Sequence, residues 1–479
     1  LEFRRVLFRS GLDEFKHHSH CQDNDCDGPH KNDAIKQMPL SALYVKLVKG
    51  RLLPGATVLT TSRPDAVQSI AHLAAEHFDR KVEIMGFTPK KIEEYVQQRF
   101  AHDEERLDKI WSHISTNLEL QSLCYIPVNT RIICSLLEEC LKLQEQNSTD
   151  MALPSTSTQV YKDALKLFIF KHHSEFKGQP LTEVFLMGNV DFPDAVEKTL
   201  IKAGALAIES IEQGRLVFDS HEVQGIEKCG LFNRMPNRKV SSSKFKSQFC
   251  FLHLTFQEFL AAREIAKMDP AELKSFVSRN ASDPKWHLVL QFVAGLLGDK
   301  KNKAVIVFVN MLIESMKKSE CKEPSWQMAL LMMKCLHEYN DEAKVKEAAS
   351  VMSSSITSDI KIDLFGCDVT ALDCAAIIYF IKHLQENIVL HLDFNLITDE
   401  GVPYLCAALK DEHCKLTELN LSRNNLSDQS SSHLYAALKG EHCKITKLVL
   451  LGINMSDKSV SLLRSALRDE HCKLKNLWH

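Results

Sequence analysis

One stretch, LTELNLSRNNL at Leu416–Leu426, decides the fold of the C-terminal part of the chain. Its leucines at 419 and 421 alternate as in a short strand with one buried face, and an asparagine at 424 follows in the turn. The tetrapeptide Glu-His-Cys-Lys precedes this stretch at 412–415 and returns at 441–444 and 470–473, a fixed period of 29 residues. This period predicts an array of stacked repeats, because one strand and one helix cannot bury their apolar faces alone.

The spacing of the apolar and asparagine positions matches that of a leucine-rich repeat of the ribonuclease-inhibitor-like type, with one strand and one full helix per unit. In such a unit the asparagine side chain bonds turn backbone inside the curve. Cys367 replaces the asparagine in an early unit, and Ile453 replaces it in a late one. We expect the repeated Cys414, Cys443 and Cys472 to pack in one inter-repeat layer rather than to bind a metal. The pattern continues in neighbouring units at Ile362, Leu364, Leu390, Leu392, Asn395, Leu448 and Leu450.

The composition describes a multidomain chain without a strong charge bias. With 479 residues, of which 44% are hydrophobic, the chain is long enough for several domains with their own cores. Its 59 basic and 62 acidic residues give a net charge of −3, which provides no support for nucleic-acid or membrane-surface binding. No run approaches the roughly 18 consecutive apolar residues of a membrane-spanning helix. The 15 cysteines are scattered through apolar segments, which predicts buried free thiols, a reducing compartment and a cytoplasmic location.

Two segments near the N-terminus carry residues suited to a nucleotide. The first, GLDEF at residues 11–15, contains the acidic pair Asp13 and Glu14, and the second, residues 53–64, predicts a strand that ends near Arg63. Carboxylates at a strand end hold Mg²⁺ or orient water, and an arginine at the next strand end neutralises phosphate charge. Spacing alone leaves two interpretations open: a nucleotide site, or a surface loop with a structural arginine.

Four motifs, in this order, resemble those of the NACHT ATPases. GLDEF resembles the extended Walker B motif, and LLPGATVLTTSRP at 52–64 resembles the first sensor motif. LCYIP at 123–127 resembles a helical-domain motif, and FLHLTFQEFLAA at 251–262 resembles the winged-helix segment. With a leucine-rich array after them, the residues from Gly11 to His479 resemble a NOD-like receptor, most closely the fish-type or pyrin-type-like members.

The resemblance implies roles for five residues. Asp13 and Glu14 would position water or metal, and Arg63 would sense the terminal phosphate. Pro127 would pack on the adenine, and His253 would hydrogen-bond the β-phosphate. The implied cofactor is ATP or ADP with Mg²⁺, and no dedicated protein metal site is implied. The residues alone offer a second interpretation of two of them: His253, in an apolar run, suits a core histidine, and Pro127 suits the first turn of a helix.

The resemblance also implies the fold class, a multidomain α plus α/β chain. It would contain a partial P-loop NTPase (NACHT) sheet, helical and winged-helix subdomains, and a C-terminal α/β leucine-rich-repeat solenoid. The expected domains are a foreign segment at 1–10, the C-terminal part of NACHT at 11–85, helical domain 1 at 86–150, the winged helix at 151–265, helical domain 2 at 266–356 and the repeats at 357–479.

The chain departs from the family pattern at the phosphate site. It contains no G-x-x-x-x-G-K-[ST] loop, whose backbone N–H groups cradle phosphates, and Ser10 stands where the family places a Mg²⁺-binding aspartate. The initial LEF resembles cloning-site sequence, and Arg4, Arg5 and Arg9 are unsuited to a buried strand, so we exclude residues 1–10 from the predicted fold. We expect a fragment that binds ATP weakly or not at all.

The insert that follows the first motif invites a zinc hypothesis, because imidazole and thiolate are the usual ligands of zinc. Its spacing matches no standard zinc finger, and the interspersed Asn, Asp, Gly and Pro residues favour a polar surface loop. The residues concerned are His17, His18, His20, Cys21, Cys26 and His30.

The function implied by the resemblance is that of a cytoplasmic innate-immune pattern-recognition or regulatory receptor. ADP would hold a closed form, and exchange for ATP would open it and drive self-oligomerisation through the NACHT region. The leucine-rich repeats would bind proteins or other ligands. Any ATP hydrolysis would be slow and regulatory, and a dedicated NTPase is the weakest alternative because the phosphate cradle is missing. The remaining alternative is a non-catalytic leucine-rich-repeat scaffold that binds another protein.

Overall fold

Two units make up the chain, Leu1–Met85 and Gly86–His479. None of the helices in the described ranges is long and apolar enough to cross a membrane. The computed structural model describes residues 6–9, 40–60, 79–80, 82, 86–147, 153–182, 185–186, 188, 191–235, 238–239, 245–298, 308, 310–311, 326–353 and 359–479.

The first unit contains a pair of parallel strands. Strand β1 (Val6–Arg9) pairs with β2 (Thr57–Thr60), and helix α1 (Leu40–Val48) lies between them in sequence, as a parallel pair requires a crossover connection. The expectation that residues 1–10 take no part in the fold is therefore wrong for β1. Strand pairing uses backbone groups, and the Val-Leu-Phe of β1 has high β propensity despite the arginine that follows.

Helices open the second unit, and the sequence marks where they begin. The side chain of Thr88 accepts a hydrogen bond from the Lys91 backbone N–H at 3.3 Å, and Asp103 accepts one from the Arg106 N–H at 3.1 Å, which caps the first two helices. Proline occupies the first position of two helices, where its missing N–H costs nothing. The helices are α2 (Pro89–Arg99), α3 (Glu104–Thr116), α4 (Leu118–Cys124), α5 (Pro127–Asn147) and α6 (Ser157–His172).

The part predicted as a winged helix combines helices with short antiparallel strands. Two of its helices approach closely at Gly204, where an added Cβ would lie 3.0 Å from the carbonyl oxygen of Leu260. In the three-stranded sheet, the last of the three strands in sequence lies in the middle. The elements are α7 (Asp194–Gln213), β3 (Phe218–Asp219), β4 (Phe232–Arg234), β5 (Arg238–Lys239), β6 (Phe245–Lys246), β7 (Gln248–Phe251) and α8 (Leu254–Ile265).

A further helical region precedes the C-terminal array. Asp269 and Glu272 form a reciprocal capping box at the start of its first helix. The ring of Phe292 lies 5.2 Å from that of Phe259, so this region shares one apolar core with α8. Its helices are α9 (Pro270–Asn280), α10 (His287–Gly298), α11 (Trp326–Tyr339) and α12 (Glu342–Ser353).

Residues 359–479 alternate strands with helices along their whole length. The strands form one parallel sheet in which the spatial order equals the chain order, so successive strand–helix units stack on one another. The inward aliphatic side chains of the first four strands are buried, as period-two alternation predicts. The elements are β8 (Ile360–Asp363), α13 (Ala371–Ile381), β9 (Ile388–His391), α14 (Val402–Leu409), β10 (Leu416–Asn420), α15 (Asp428–Leu438), β11 (Lys447–Val449), α16 (Asp457–Ala466) and β12 (Asn476–Trp478). We call residues 359–479 the strand–helix array.

Buried asparagines tie neighbouring units of the array together. Nδ2 of Asn395 donates to the carbonyl oxygen of Leu364 at 2.8 Å, and its Oδ1 accepts from the Val369 N–H at 2.9 Å. Asn424 makes the two equivalent bonds one unit later, at 2.7 and 3.0 Å. The predicted bonding of asparagine side chains to turn backbone is confirmed.

The repeated cysteines lie at equivalent places in the array. Cys414 and Cys443 are buried and Cys472 is half-buried, in agreement with packing between units. Burial raises the pKa of the Cys414 and Cys443 thiols, which keeps them protonated and poorly reactive. Across the described residues, no group of three or more His, Cys, Asp or Glu side chains is arranged to hold a metal ion.

Candidate functional site

His253 stands at the junction between strand β7 and helix α8. It is the N-cap of α8, with extended backbone at φ −153° and ψ 153°. Its Nδ1 accepts a hydrogen bond from the Thr255 backbone N–H at 3.3 Å, so the imidazole replaces the Ser, Thr or Asp usually found at this position. The extended strand that ends at Phe251 and the helix that starts at Leu254 together fix where this side chain lies.

The electrostatics of His253 determine which ring nitrogen carries the proton. The side chain is half-buried, and this burial lowers the pKa of His253, so the imidazole is neutral at pH 7. Because Nδ1 accepts the N–H of Thr255, the proton of the neutral ring resides on Nε2. No group in the described part of the chain hydrogen-bonds to Nε2. His253 therefore offers one fixed N–H donor at the start of a helix, where the backbone dipole also favours an anion.

A buried polar network extends from His253 into the core. The Thr255 hydroxyl lies 2.9 Å from Nδ1 of His253, and its proximity to the Tyr161 hydroxyl acts to lower the pKa of that tyrosine, against the larger effect of burial. The Tyr161 hydroxyl donates to Oδ1 of Asn129 at 2.6 Å. Burial raises the pKa of Tyr161, which keeps this hydroxyl protonated as a donor. We refer to Asn129, Tyr161, Thr255 and His253 as the polar network.

Pro127 lies at the other end of this network. It is the first residue of α5 and is exposed, whereas Asn129, two residues later, is 4% exposed. The segment before Pro127 is held by the carbonyl oxygen of Tyr125, which accepts from the Phe87 N–H at 2.7 Å. Both interpretations of Pro127 are compatible with this position, because a proline that starts a helix can also present its ring to a ligand.

The structure thus connects two of the five candidate residues. The polar network joins the first turn of α5, which begins at Pro127, to the N-cap His253 of α8. Asp13, Glu14 and Arg63 lie outside the described residues, as do the histidines and cysteines of the zinc hypothesis.

Sequence reasoning did not find the inner members of the polar network. Thr255 lies two residues after His253, the spacing of a hydroxyl at a helix start, and this was a usable signal. Asn129 and Tyr161 carried none, because neither belongs to a local motif, and their pairing spans 32 residues of sequence.

Comparison with known proteins indicates the family. Residues 4–103 match the model of the NACHT domain, a P-loop NTPase-type domain. Mouse "NACHT, LRR and PYD domains-containing protein 12" is 26% identical over 88% of this chain and 43% of its own length. These matches support a member of the NOD-like receptor family. The NACHT match begins inside residues 1–10, which agrees with the strand found there and again corrects the exclusion of that segment.

Other relatives of this NOD-like receptor chain agree with the assignment. The zebrafish "NACHT, LRR and PYD domains-containing protein 1 homolog" is 23% identical over 79% of this chain and 28% of its own length. Human "NACHT, LRR and PYD domains-containing protein 3" is 31% identical over 49% of this chain and 21% of its own length. The chain spans less than half the length of each of these relatives.

Proposed function

We propose that this chain is part of a nucleotide-switched innate-immune receptor that binds ADP or ATP with Mg²⁺. The observation that carries the proposal is the fixed, neutral His253 at the N-terminus of α8, whose Nε2–H is suited to donate to a phosphate oxygen. Pro127 supplies an exposed ring suited to pack on the adenine. The polar network supports both roles, because its members lie in the first turn of α5 and at the N-terminus of α8, where the two residues stand.

The remaining contacts are proposed from the resemblance. Asp13 and Glu14 orient water or Mg²⁺, and Arg63 interacts with the terminal phosphate. Arg63 and Mg²⁺ neutralise the phosphate charge of the bound nucleotide. The nucleotide favours one of two packings of the receptor, so that exchange of ADP for ATP shifts the population between them. The opened form of the whole receptor then self-oligomerises.

We further propose that the strand–helix array is a leucine-rich-repeat solenoid with which the receptor senses a protein partner. Its parallel sheet and asparagine ladder support this, because stacked repeats expose one continuous face made of strands. A cytoplasmic location agrees with the buried, protonated thiols of the array.

A thermal-shift titration of the purified 479-residue chain with Mg²⁺ and ADP tests the nucleotide proposal. Without a G-x-x-x-x-G-K-[ST] loop we expect weak binding. The rise in Tm should then appear only at millimolar ADP, in a titration that extends to about 10 mM. The substitution His253→Asn keeps a side-chain acceptor for the helix start but removes the Nε2–H donor, so we expect it to abolish the rise. Submicromolar binding would contradict the expectation about the missing loop.

A matched histidine provides the control. His442 lies exposed in the array, away from α8, and His442→Asn should leave the ADP-dependent rise in Tm unchanged. If His253→Asn retains the full rise, or if ADP has no effect on the wild-type chain, the proposed role of His253 is wrong.

A further inference from the structure

A cavity of about 340 Å³ opens where the start of α11 meets the first two strands of the array. It combines two kinds of lining group, aromatic rings and carboxylates, with a single histidine. The lining residues are Trp326, Asp363, Phe365, His391 and Asp393.

An exposed pair of stacked rings flanks this cavity. The rings of Phe365 and Phe394 lie 5.7 Å apart with an angle of 25° between their planes. Phe365 is 58% exposed and Phe394 is 55% exposed, whereas the strand leucines beside them are fully buried. Two large apolar rings held against each other in solvent indicate a binding surface rather than a core.

The backbone conformation of Phe394 is also unusual. Its φ is +60°, a left-handed conformation that a residue with a bulky side chain rarely adopts. The β-sheet register places Gly366, Arg423 and Gly452 at the equivalent position of other units, with φ of +59°, +54° and +68°. The left-handed turn therefore belongs to the repeat, and it holds the Phe394 ring in its exposed position beside Phe365 against the conformational preference of phenylalanine.

The two carboxylates of the cavity differ in their partners. Asp363 is paired with Lys361 at 2.7 Å and lies 3.8 Å from the His391 ring. Oδ1 of Asp393 is buried, and no group in the described part of the chain hydrogen-bonds to it. The backbone of Asp393 is fixed, because its carbonyl oxygen accepts from the Gly366 N–H at 3.2 Å. Asp393 thus holds an anionic acceptor that lacks a donor.

We infer that this cavity binds an arginine side chain of a protein partner. A guanidinium group is planar, so it can stack on the rings of Trp326 and Phe365 while it donates to the Asp393 carboxylate. Positive charge on the ligand complements the carboxylates of Asp363 and Asp393. The inference rests on the proposal that the array binds a protein, and it names the chemistry that this protein must present.

Fluorine NMR of the whole chain labelled with 5-fluorotryptophan tests the inference. The chain has four tryptophans, so a Trp→Phe substitution at each assigns the spectrum. The probe is the peptide acetyl-Gly-Arg-Gly-amide, and its citrulline counterpart has the same shape without the charge. We expect the arginine peptide to shift the Trp326 resonance saturably, and the citrulline peptide to bind about ten-fold more weakly. The Trp478 resonance, at the far end of the sheet, should not move.

Two substitutions separate the cavity from general charge effects. Asp393→Asn keeps the shape of the side chain but removes its charge, and it should weaken binding of the arginine peptide about ten-fold. Asp368→Asn removes an exposed carboxylate that does not line the cavity and should change nothing. Unchanged Trp478 and Trp286 resonances show that each variant is folded.

Three results would overturn the inference. They are no saturable shift at Trp326, equal binding of the arginine and citrulline peptides, or equal binding of a lysine peptide. A shift that grows with protein concentration alone would assign the cavity to a second copy of the chain instead of a partner. None of these results depends on nucleotide, so a failure here is distinct from a failure of the His253 titration.

Discussion

The hydroxyl of Tyr161 donates to Oδ1 of Asn129 across 2.6 Å, and both side chains are buried, at 1% and 4% exposure. This bond joins α6 to the first turn of α5. The Tyr161 ring also packs edge-on against Phe256 at 5.2 Å, so it contacts α8 as well. One tyrosine therefore holds together the three helices that position Pro127 and His253.

We predict that Tyr161→Phe destabilises the chain by about 1–3 kcal/mol, because it leaves the buried Oδ1 of Asn129 without a donor while the ring contacts remain. Urea unfolding followed by circular dichroism measures the change. Tyr435→Phe is the matched control: Tyr435 is half-buried on α15, and phenylalanine keeps its ring contact with the Lys439 ammonium and loses only a hydroxyl contact with this partly solvated lysine. An equal loss in both variants would mean that the bond to Asn129 contributes little.

Substitutions at His253 separate its structural role from its proposed ligand role. His253→Ala removes the bond to the Thr255 N–H and should cost about 0.5–1 kcal/mol of stability. His253→Asn should retain most of this stability, because its side-chain oxygen can accept the same N–H. Both variants lack the Nε2–H donor, so both should lose the ADP-dependent rise in Tm. A loss confined to His253→Ala would assign the nucleotide effect to the helix cap alone.

The asparagine ladder makes a strong prediction about the array. Asn424→Ala leaves the carbonyl oxygen of Leu392 and the N–H of Ile397 unpaired in a buried turn, which should cost about 2–4 kcal/mol. Its neighbour Asn425 is exposed and makes no such side-chain bonds in the described structure, so Asn425→Ala should change stability by less than about 0.5 kcal/mol. Hydrogen exchange of β10 and the adjacent strands would show the difference. Similar exchange rates in the two variants would contradict the role assigned to Asn424.

The array was the part of the fold most open to prediction from sequence, for a physical reason. Its strands pair only with the strands of neighbouring units, so every long-range contact repeats at one short period that the sequence displays. Asn395 and Asn424 were identified in this way, and the structure confirms the bonds that they make. The starts of α2 and α5 can also be recognised in the sequence, because proline and capping residues act locally.

Contacts between distant segments were not predictable from sequence. The first turn of α6 also has a distant partner, because the carboxylate of Glu338 accepts from the Thr158 hydroxyl at 2.6 Å across 180 residues of sequence. No local pattern encodes such a partner. The bond from Tyr161 to Asn129 is hidden for the same reason. Strand β1 was missed because arginines were weighed as side chains to be buried, whereas a parallel pair is formed by the backbone.

Burial of His253 predicts a specific dependence of stability on pH. Because desolvation lowers the pKa of His253 below the unfolded value of about 6.5, the folded state takes up this proton less readily than the unfolded state. The contribution of His253 to stability is therefore present above the unfolded pKa and is lost as the pH falls through the folded pKa. Burial lowers the pKa of His287 as well. Both the wild-type chain and the His253→Asn variant contain His287, so its contribution to stability cancels when the two are compared. We expect wild-type and His253→Asn to have similar urea midpoints near pH 7.5, and the wild-type midpoint to fall below that of the variant as the pH approaches about 5. A difference between the two midpoints that stays constant over this range would mean that His253 is solvated in the folded chain.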